Sequence, residues 1–311
     1  MEYREIGKTG LKVSSLSFGG SSLGSVFRGI DEQEGIRTVT EAVENGINYI
    51  DVSPYYGITK AETVLGKAIK DINRDRFFLS TKVGRYGENE FDFSKEKIFS
   101  SVEESLNRLQ TDYIDILYLH DIEFGSYNQI VEESIPALNE LKKQGKIRFT
   151  GISGLPLKAF EDVLEKQYVD AVLSYCHYSL NDQSLVDFVP YLDNKNVGLV
   201  SASPLSMGLL TGRKIPDWHP ANDKIKEACK KAADFCQEQG EDLAKLAIQF
   251  SVENAKIPTT LVSTGSVENI KKNISWVEQP INHELLNQVL QILDPVMNLS
   301  WSSGNYKELV K

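Results

Sequence analysis

Residues 47–57 read INYIDVSPYYG. An apolar run, Ile47 to Asp51, carries an acid to its end, and a turn made by Pro54 and Gly57 then presents two adjacent tyrosines, Tyr55 and Tyr56. Two later stretches are built alike, FFLSTK ending on Lys82 and IDILYLH ending on His120. In each, the preceding apolar run places the ionisable group at the rim of a core instead of on a solvated helix face. Taken singly each has a plainer reading: Asp51 as a turn cap, Lys82 as a surface lysine, His120 as a satisfied core histidine. Together they describe the C-terminal mouth of a parallel barrel, where the catalytic groups of that architecture sit. Asp51, Tyr56, Lys82 and His120 are therefore the candidate active site, with Tyr55 competing for the place of Tyr56.

Outward from these three runs the chain keeps a βαβα rhythm. Strands are expected at Leu16 to Phe18, Ile47 to Asp51, Phe77 to Lys82, Ile114 to His120, Ile147 to Ser153, Ala171 to Ser174, Gly198 to Ser201 and Thr260 to Ser263. Between them apolar residues recur at helical spacing, as in Ile36, Val39, Val43 and in Ile98, Val102, Leu106, Leu109. Asp31 and Ser94 stand where N-caps belong, and Gly46 and Gly145 where helices should close. Eight such units without a linker predict one (β/α)8 TIM barrel over 1–311, an α/β fold. An N-terminal hairpin turning at GKTG precedes it. A loop from Met207 to Asn222 with an extra helical segment, and a C-terminal helix and tail from Asn282, are expected near the mouth. An open dinucleotide-binding sheet would want G-x-G-x-x-G after the first strand, and FGGSSLGS has its glycines at other offsets.

Composition removes several functions. A net charge of −10 opposes binding to a phosphate backbone, so nucleic acid is not an expected partner. No run has the length of a membrane span or a signal core, which predicts a cytoplasmic protein without membrane association. Three cysteines make no disulfide framework, and Cys229 and Cys236, if on one helix, stand about 10 Å apart along its axis. Four histidines without ligand spacing predict no metal.

The motifs D-x-S-x-x-Y-G after Asp51, S-T-K at Lys82 and L-H at His120 resemble the aldo-keto reductase family. So do GKTGLKVSSLSFGG, QGKIRFTGISG and SASPLSMGLLTG, in the family's order and over essentially the whole chain. The resemblance implies a nicotinamide-dependent oxidoreductase. Tyr56 then exchanges the proton at the substrate oxygen, Lys82 favours its phenolate, Asp51 holds Lys82, and His120 hydrogen-bonds the substrate oxygen; Tyr55 is left a supporting or substrate-contacting role. It also implies that Ser153 meets the nicotinamide carboxamide, that Ser203, Leu205, Met207 and Gly208 cradle the pyrophosphate, and that Ser263, Asn269 and Asn273 line the rest of the cofactor site. Departures are informative. Gly154 replaces a family asparagine, and Ser174 and Tyr175 stand near a missing glutamine. Ala202 replaces the aromatic that stacks on nicotinamide, a task then expected of Tyr175. Asn269 replaces an arginine for the 2′-phosphate, which predicts NAD over NADP.

FGGSSLGSVF, KVGRYG, LHDIEFGS, SYCHYSLND and DWHPA are more particular. They are similar to the branch of the family that oxidises aldoses such as L-galactose, L-fucose and D-arabinose at C1 to the lactone, with L-galactose the first expectation. That implies a sugar as small-molecule partner, with Tyr56 as base and with Tyr86, His120, Asp121, His177 and Trp301 lining its pocket. Packing roles compete for His177 and Trp301. The alternatives are an NADPH-dependent carbonyl reductase and a non-catalytic cofactor-binding subunit. A monomer or homodimer is expected.

Overall fold

A computed structural model describes residues 1–26 and 29–304. Strands β1 (Tyr3–Glu5) and β2 (Lys12–Ser14) pair as the expected antiparallel hairpin. Its apolar residues Ile6, Leu11 and Val13 pack with barrel-interior side chains, and Gly7 lies so close to Gly198 that a Cβ would sit 2.6 Å from its Cα. The hairpin therefore plugs the N-terminal end of the barrel.

The eight apolar runs all become strands: β3 (Leu16–Gly19), β4 (Tyr49–Asp51), β5 (Phe78–Val83), β6 (Ile114–Leu119), β7 (Ile147–Gly154), β8 (Ala171–Tyr175), β9 (Gly198–Ala202) and β10 (Thr260–Ser263). They close in parallel, each beside its sequence neighbour and β10 beside β3, as a (β/α)8 barrel. Ends differ slightly from the expectation. Ile47 precedes β4 because its N–H bonds back to Ala42 O, completing the left-handed helix end that Gly46 forms at φ 93°.

The helices begin and end on the residues that should direct them. Asp31 accepts from Glu34 N–H and Ser94 from Lys97 N–H, and Gly145 adopts φ 76° directly after the helix Ile135–Lys143. Alternate strand residues face opposite ways. Leu79, Leu117, Ile152 and Val172 pack outward against helices, whereas Tyr49, Ile116, Tyr118, Leu173, Val200 and Leu261 share the interior. Two helices, Asp223–Glu238 and Leu243–Glu253, lie between β9 and β10, and the helix His283–Leu293 packs on the first of these. Cys229 and Cys236 are buried and unpaired on that helix, as is Cys176 after β8. Among the described residues no helix is long and apolar enough to cross a membrane, and no His/Cys/Asp/Glu group could hold a metal. Phe27, the last residue of the FGGSSLGSVF stretch, and the end of the tail beyond residue 304 lie outside the described residues.

Candidate active site

The alternation that buries Tyr49, Tyr118, Leu173, Val200 and Leu261 turns the residues two further along each strand into the mouth: Asp51, His120, Tyr175, Ala202 and Ser263, with Lys82 and Ser153 alongside on β5 and β7. His120 lies one residue past β6, and its N–H still bonds to Val83 O at 2.8 Å, continuing the ladder. Lys82 Nζ donates to Asp51 Oδ2 at 2.5 Å, to Val52 O at 3.0 Å and to the Tyr56 hydroxyl at 3.1 Å. Three donors, three acceptors: the ammonium is fully satisfied although only 1% exposed. Burial works against the charge on Lys82, but Asp51 and Tyr56 outweigh it and hold the lysine above its ordinary pKa. Burial raises Asp51, opposed by Lys82 and by the Ser80 hydroxyl. It also raises Tyr56, with Lys82 pulling the other way, so the phenol of the ligand-free site is protonated.

His120 meets the Ser53 hydroxyl through Nδ1 at 3.0 Å. Ser53 Oγ already accepts from Tyr55 N–H at 3.1 Å, so its proton is available to Nδ1 and the ring's own proton is assigned to Nε2. Burial, with Lys82 and Arg85 near, holds His120 well below the ordinary histidine range. The imidazole is neutral, with Nε2–H free to donate. Its ring stands edge-on to Tyr56, centroids 5.7 Å apart.

The two tyrosines are separated by their partners. Tyr56 turns to Lys82, whereas the Tyr55 hydroxyl accepts from Arg85 Nη2 at 3.2 Å and its ring lies under the guanidinium, 3.9 Å from the centroid. Arg85 Nη1 also pairs with Asp121 Oδ2 at 2.5 Å, and that oxygen is 3.8 Å from His120 Nε2. Arg85 and Ser53 stand within KVGRYG and D-x-S-x-x-Y-G, and their roles emerge only in the fold. Only the folded loops bring Arg85 across to Asp121; for Ser53 the signal was its place two residues after Asp51.

The glycine of D-x-S-x-x-Y-G fixes the Tyr56 loop. Gly57 has φ 64°, and a Cβ there would run into Gly24 O, while a Cβ on Gly24 would run into Tyr56 O. Two backbones thus touch where neither residue has a side chain.

The expected cofactor residues lie on one arc of the mouth, from β7 to the helix after β10. Ser153 Oγ donates to Leu119 O at 3.2 Å and accepts from Asp121 N–H at 3.4 Å. Tyr175 and Ala202 are cross-strand neighbours, so the Tyr175 ring stands beside the position that lost its aromatic. In the turn after β9, Ser203, Ser206, Met207 and Gly208 all have positive φ, and the buried Ser206 hydroxyl has no partner. The turn is closed by its own backbone, Ser206 N–H donating to Ser203 O and Gly208 N–H to Leu205 O, each at 2.9 Å. His219, from the extra loop, bonds Ser206 O at 3.0 Å, and Trp301 packs edge-on to His219 at 5.2 Å. Trp301 thus braces the turn through His219. Ser263 Oγ accepts from Ser22 N–H at 2.8 Å and bonds the Ser21 and Ser22 hydroxyls, tying β10 to the segment Gly20–Gly24. Asn269 is half-buried in the first turn of the helix Val267–Val277, and Asn273, one turn on, is buried.

Of the expected sugar contacts, Asp121 stands beside His120, but two others are engaged elsewhere. His177 bonds Asp182 Oδ2 and Ser184 Oγ through Nδ1 and Leu155 O through Nε2, which leaves neither nitrogen for a ligand. The Tyr86 hydroxyl accepts from Gly84 N–H at 3.1 Å, and Lys97 covers its ring. Both residues hold loops through these contacts. The Gly154 departure also has a cause, since a Cβ there would collide with Glu123 Oε2. Glu123 is buried, and burial with Asp121 nearby pushes its carboxyl up to about 8, against hydrogen bonds from Ser303 and Leu155 N–H.

The chain is similar to known proteins along nearly its whole length. L-galactose dehydrogenase of Arabidopsis thaliana is 50% identical over 313 residues, covering 98% of this chain and 98% of the relative. D-arabinose 1-dehydrogenase of Saccharomyces cerevisiae is 37% identical, covering 94% of each chain. The solved holo form of an aldo-keto reductase from Bacillus halodurans superposes with a TM-score of 0.81 at 29% identity, covering 99% of each chain. The model of the Aldo/keto reductase family matches residues 15–294. With that match spanning the barrel and the site at its mouth, the chain belongs to the aldo/keto reductase family.

Proposed function

We propose that the protein oxidises an aldose, L-galactose first among candidates, at C1 to the lactone with NAD. The observation that carries this reading is the arrangement of Lys82, which donates to Tyr56 while paired with Asp51, next to a neutral His120. Aldo-keto reductases bind a nicotinamide cofactor, and the turn 203–208 with Ser153 and Tyr175 fits one. When bound in its oxidised form, that group supplies the hydride acceptor. His120 Nε2–H donates to the anomeric oxygen and orients the sugar, and Tyr56, as phenolate, takes the anomeric hydroxyl proton. Lys82 stabilises that phenolate and Asp51 keeps Lys82 charged and aimed. Asp121, held by Arg85, offers a carboxylate beside the same oxygen to bond a neighbouring sugar hydroxyl.

The NAD preference is supported by charge. Asn269 offers no cation, and the nearby Lys271 and Lys272 are occupied by Glu41 at 3.2 Å and Glu268 at 2.6 Å. A 2′-phosphate would lack the charge-assisted partner that discriminates NADP. The names of the two sugar dehydrogenases above support an aldose as substrate, and three unpaired buried cysteines suit a reducing cytoplasm. Initial rates with L-galactose, L-fucose and D-arabinose, each with NAD and NADP, test the reading: turnover with NAD and at least one aldose is expected, and none with any of them would refute it.

A further inference from the structure

A polar residue stands two positions before each strand-end member of the site: Tyr49 before Asp51, Ser80 before Lys82 and Tyr118 before His120. Because strand side chains repeat every two residues, these three form the layer directly beneath the active site. All are fully buried, among side chains such as Leu173 and Val200, at a depth where barrel interiors are ordinarily filled by apolar branched residues. They are joined end to end. The Tyr118 and Tyr49 hydroxyls are 3.1 Å apart, Tyr49 OH and Ser80 Oγ are 2.8 Å apart, and Ser80 donates to Asp51 Oδ1 at 2.7 Å. The Asp51 carboxylate can only accept, which fixes the Ser80 proton on it. Ser80 Oγ then accepts a hydrogen bond from the Tyr49 hydroxyl, and the Tyr49 oxygen from the Tyr118 hydroxyl, so the O–H dipoles run along the chain toward Asp51. Burial holds both phenols protonated, as donors must be. Gly151 leaves the room this needs, since a Cβ there would overlap the Tyr118 ring.

We propose that the Tyr118–Tyr49–Ser80 chain is a positioning element of the active site that clamps Asp51 toward Lys82 and stabilises the anionic form of the Asp51–Lys82–Tyr56 cluster, in which Tyr56 is a phenolate. This rests on Tyr56 being the base of the reaction. With Tyr56 protonated, the cluster of Asp51, Lys82 and Tyr56 carries no net charge; after proton loss it carries one negative charge. Donor dipoles whose positive ends face the cluster favour the second state, and a chain of them polarises cooperatively. The other groups facing the cluster come from the loops above: His120 is neutral, and Asp121 and Arg85 are paired with each other. Neither is touched by substitutions in the layer below.

The pH profile of kcat for aldose oxidation by the full chain tests this in Ser80→Ala and Tyr49→Phe, with Tyr56→Phe as control. Removing donors should move the ascending limb to higher pH by about 0.5–1 unit in Ser80→Ala and less in Tyr49→Phe. Turnover at pH 7 should fall about 3- to 10-fold and recover at high pH, with sugar KM within about twofold. A limb that stays in place, or a loss uniform across pH, overturns the proposal. If Ser80→Ala does not fold, Tyr49→Phe, which keeps its ring, carries the same decision. Turnover surviving in Tyr56→Phe would instead refute the reading of Tyr56; an inactive Tyr56→Phe with unmoved limbs refutes the chain alone.

Discussion

The Tyr56 hydroxyl accepts a hydrogen bond from Lys82 Nζ at 3.1 Å, while Tyr55, one residue earlier, is bonded to Arg85. The two phenols thus have separable roles. Tyr56→Phe is expected to lower kcat by about 10³-fold or more with dinucleotide Kd unchanged, because only an interaction made in the transition state is lost. Tyr55→Phe should stay within about tenfold of the parent, its cost falling on sugar KM through Arg85. Steady-state kinetics paired with cofactor titration check both, and an inactive Tyr55→Phe beside an active Tyr56→Phe would reverse the assignment.

Gly57 touches Gly24 backbone to backbone directly after Tyr56. Gly57→Ala must therefore either push these segments apart or strain a left-handed residue. A kcat loss of about 10²-fold or more is expected, since small misplacements of a reacting group are costly. Cofactor affinity should change far less. Wild-type kcat in a folded Gly57→Ala would show that this contact does not position Tyr56.

Much of this site was legible because strand periodicity and strand-end chemistry coincide. Asp51, Lys82 and His120 end apolar runs, and the eight runs alternating with helical segments point to a parallel barrel with these residues at its mouth. The layer of Tyr49, Ser80 and Tyr118 is equally present in the period of two, but a hydroxyl inside an apolar strand carries no signal of its partner until neighbouring strands are in register. His177 and Tyr86 show the opposite limit. Polar residues on strand-end loops turn inward to a ligand or sideways to a backbone group according to loop conformation, and short-range pattern does not encode the choice. Arg85 reaches Asp121 and Tyr55 because the loops after the neighbouring strands β4, β5 and β6 fold together, and Glu123 fills the space beside Gly154 through a contact between separate loops.

Glu123 makes stability depend on pH. Its carboxyl is pushed up to about 8 from an ordinary 4.5, so between these values the folded chain holds a proton that the unfolded chain has released. The associated stability is complete below pH 4.5 and is lost as pH rises through 8. Glu123→Gln keeps the shape without the titration. Relative to the parent, its Tm should rise by about 3–8 °C at pH 8.5 and change little at pH 5. Equal differences at both pH values would contradict the assignment.

The proposed NAD preference rests on Asn269 standing at the 2′ position of the cofactor. Asn269→Arg is expected to tighten NADP binding about tenfold, while NAD binding moves little, as read by cofactor titration. An unchanged NADP affinity would place the 2′ position elsewhere.

In the proposed reaction Lys82, Asp51, Tyr56 and His120 together oxidise a sugar at C1 with NAD. The most direct measurement follows reduced nicotinamide and the sugar product together, with L-galactose and NAD as substrates. Formation of the lactone in one-to-one ratio with reduced NAD, lost in Tyr56→Phe, is expected; no reduced cofactor from any of L-galactose, L-fucose or D-arabinose would contradict it.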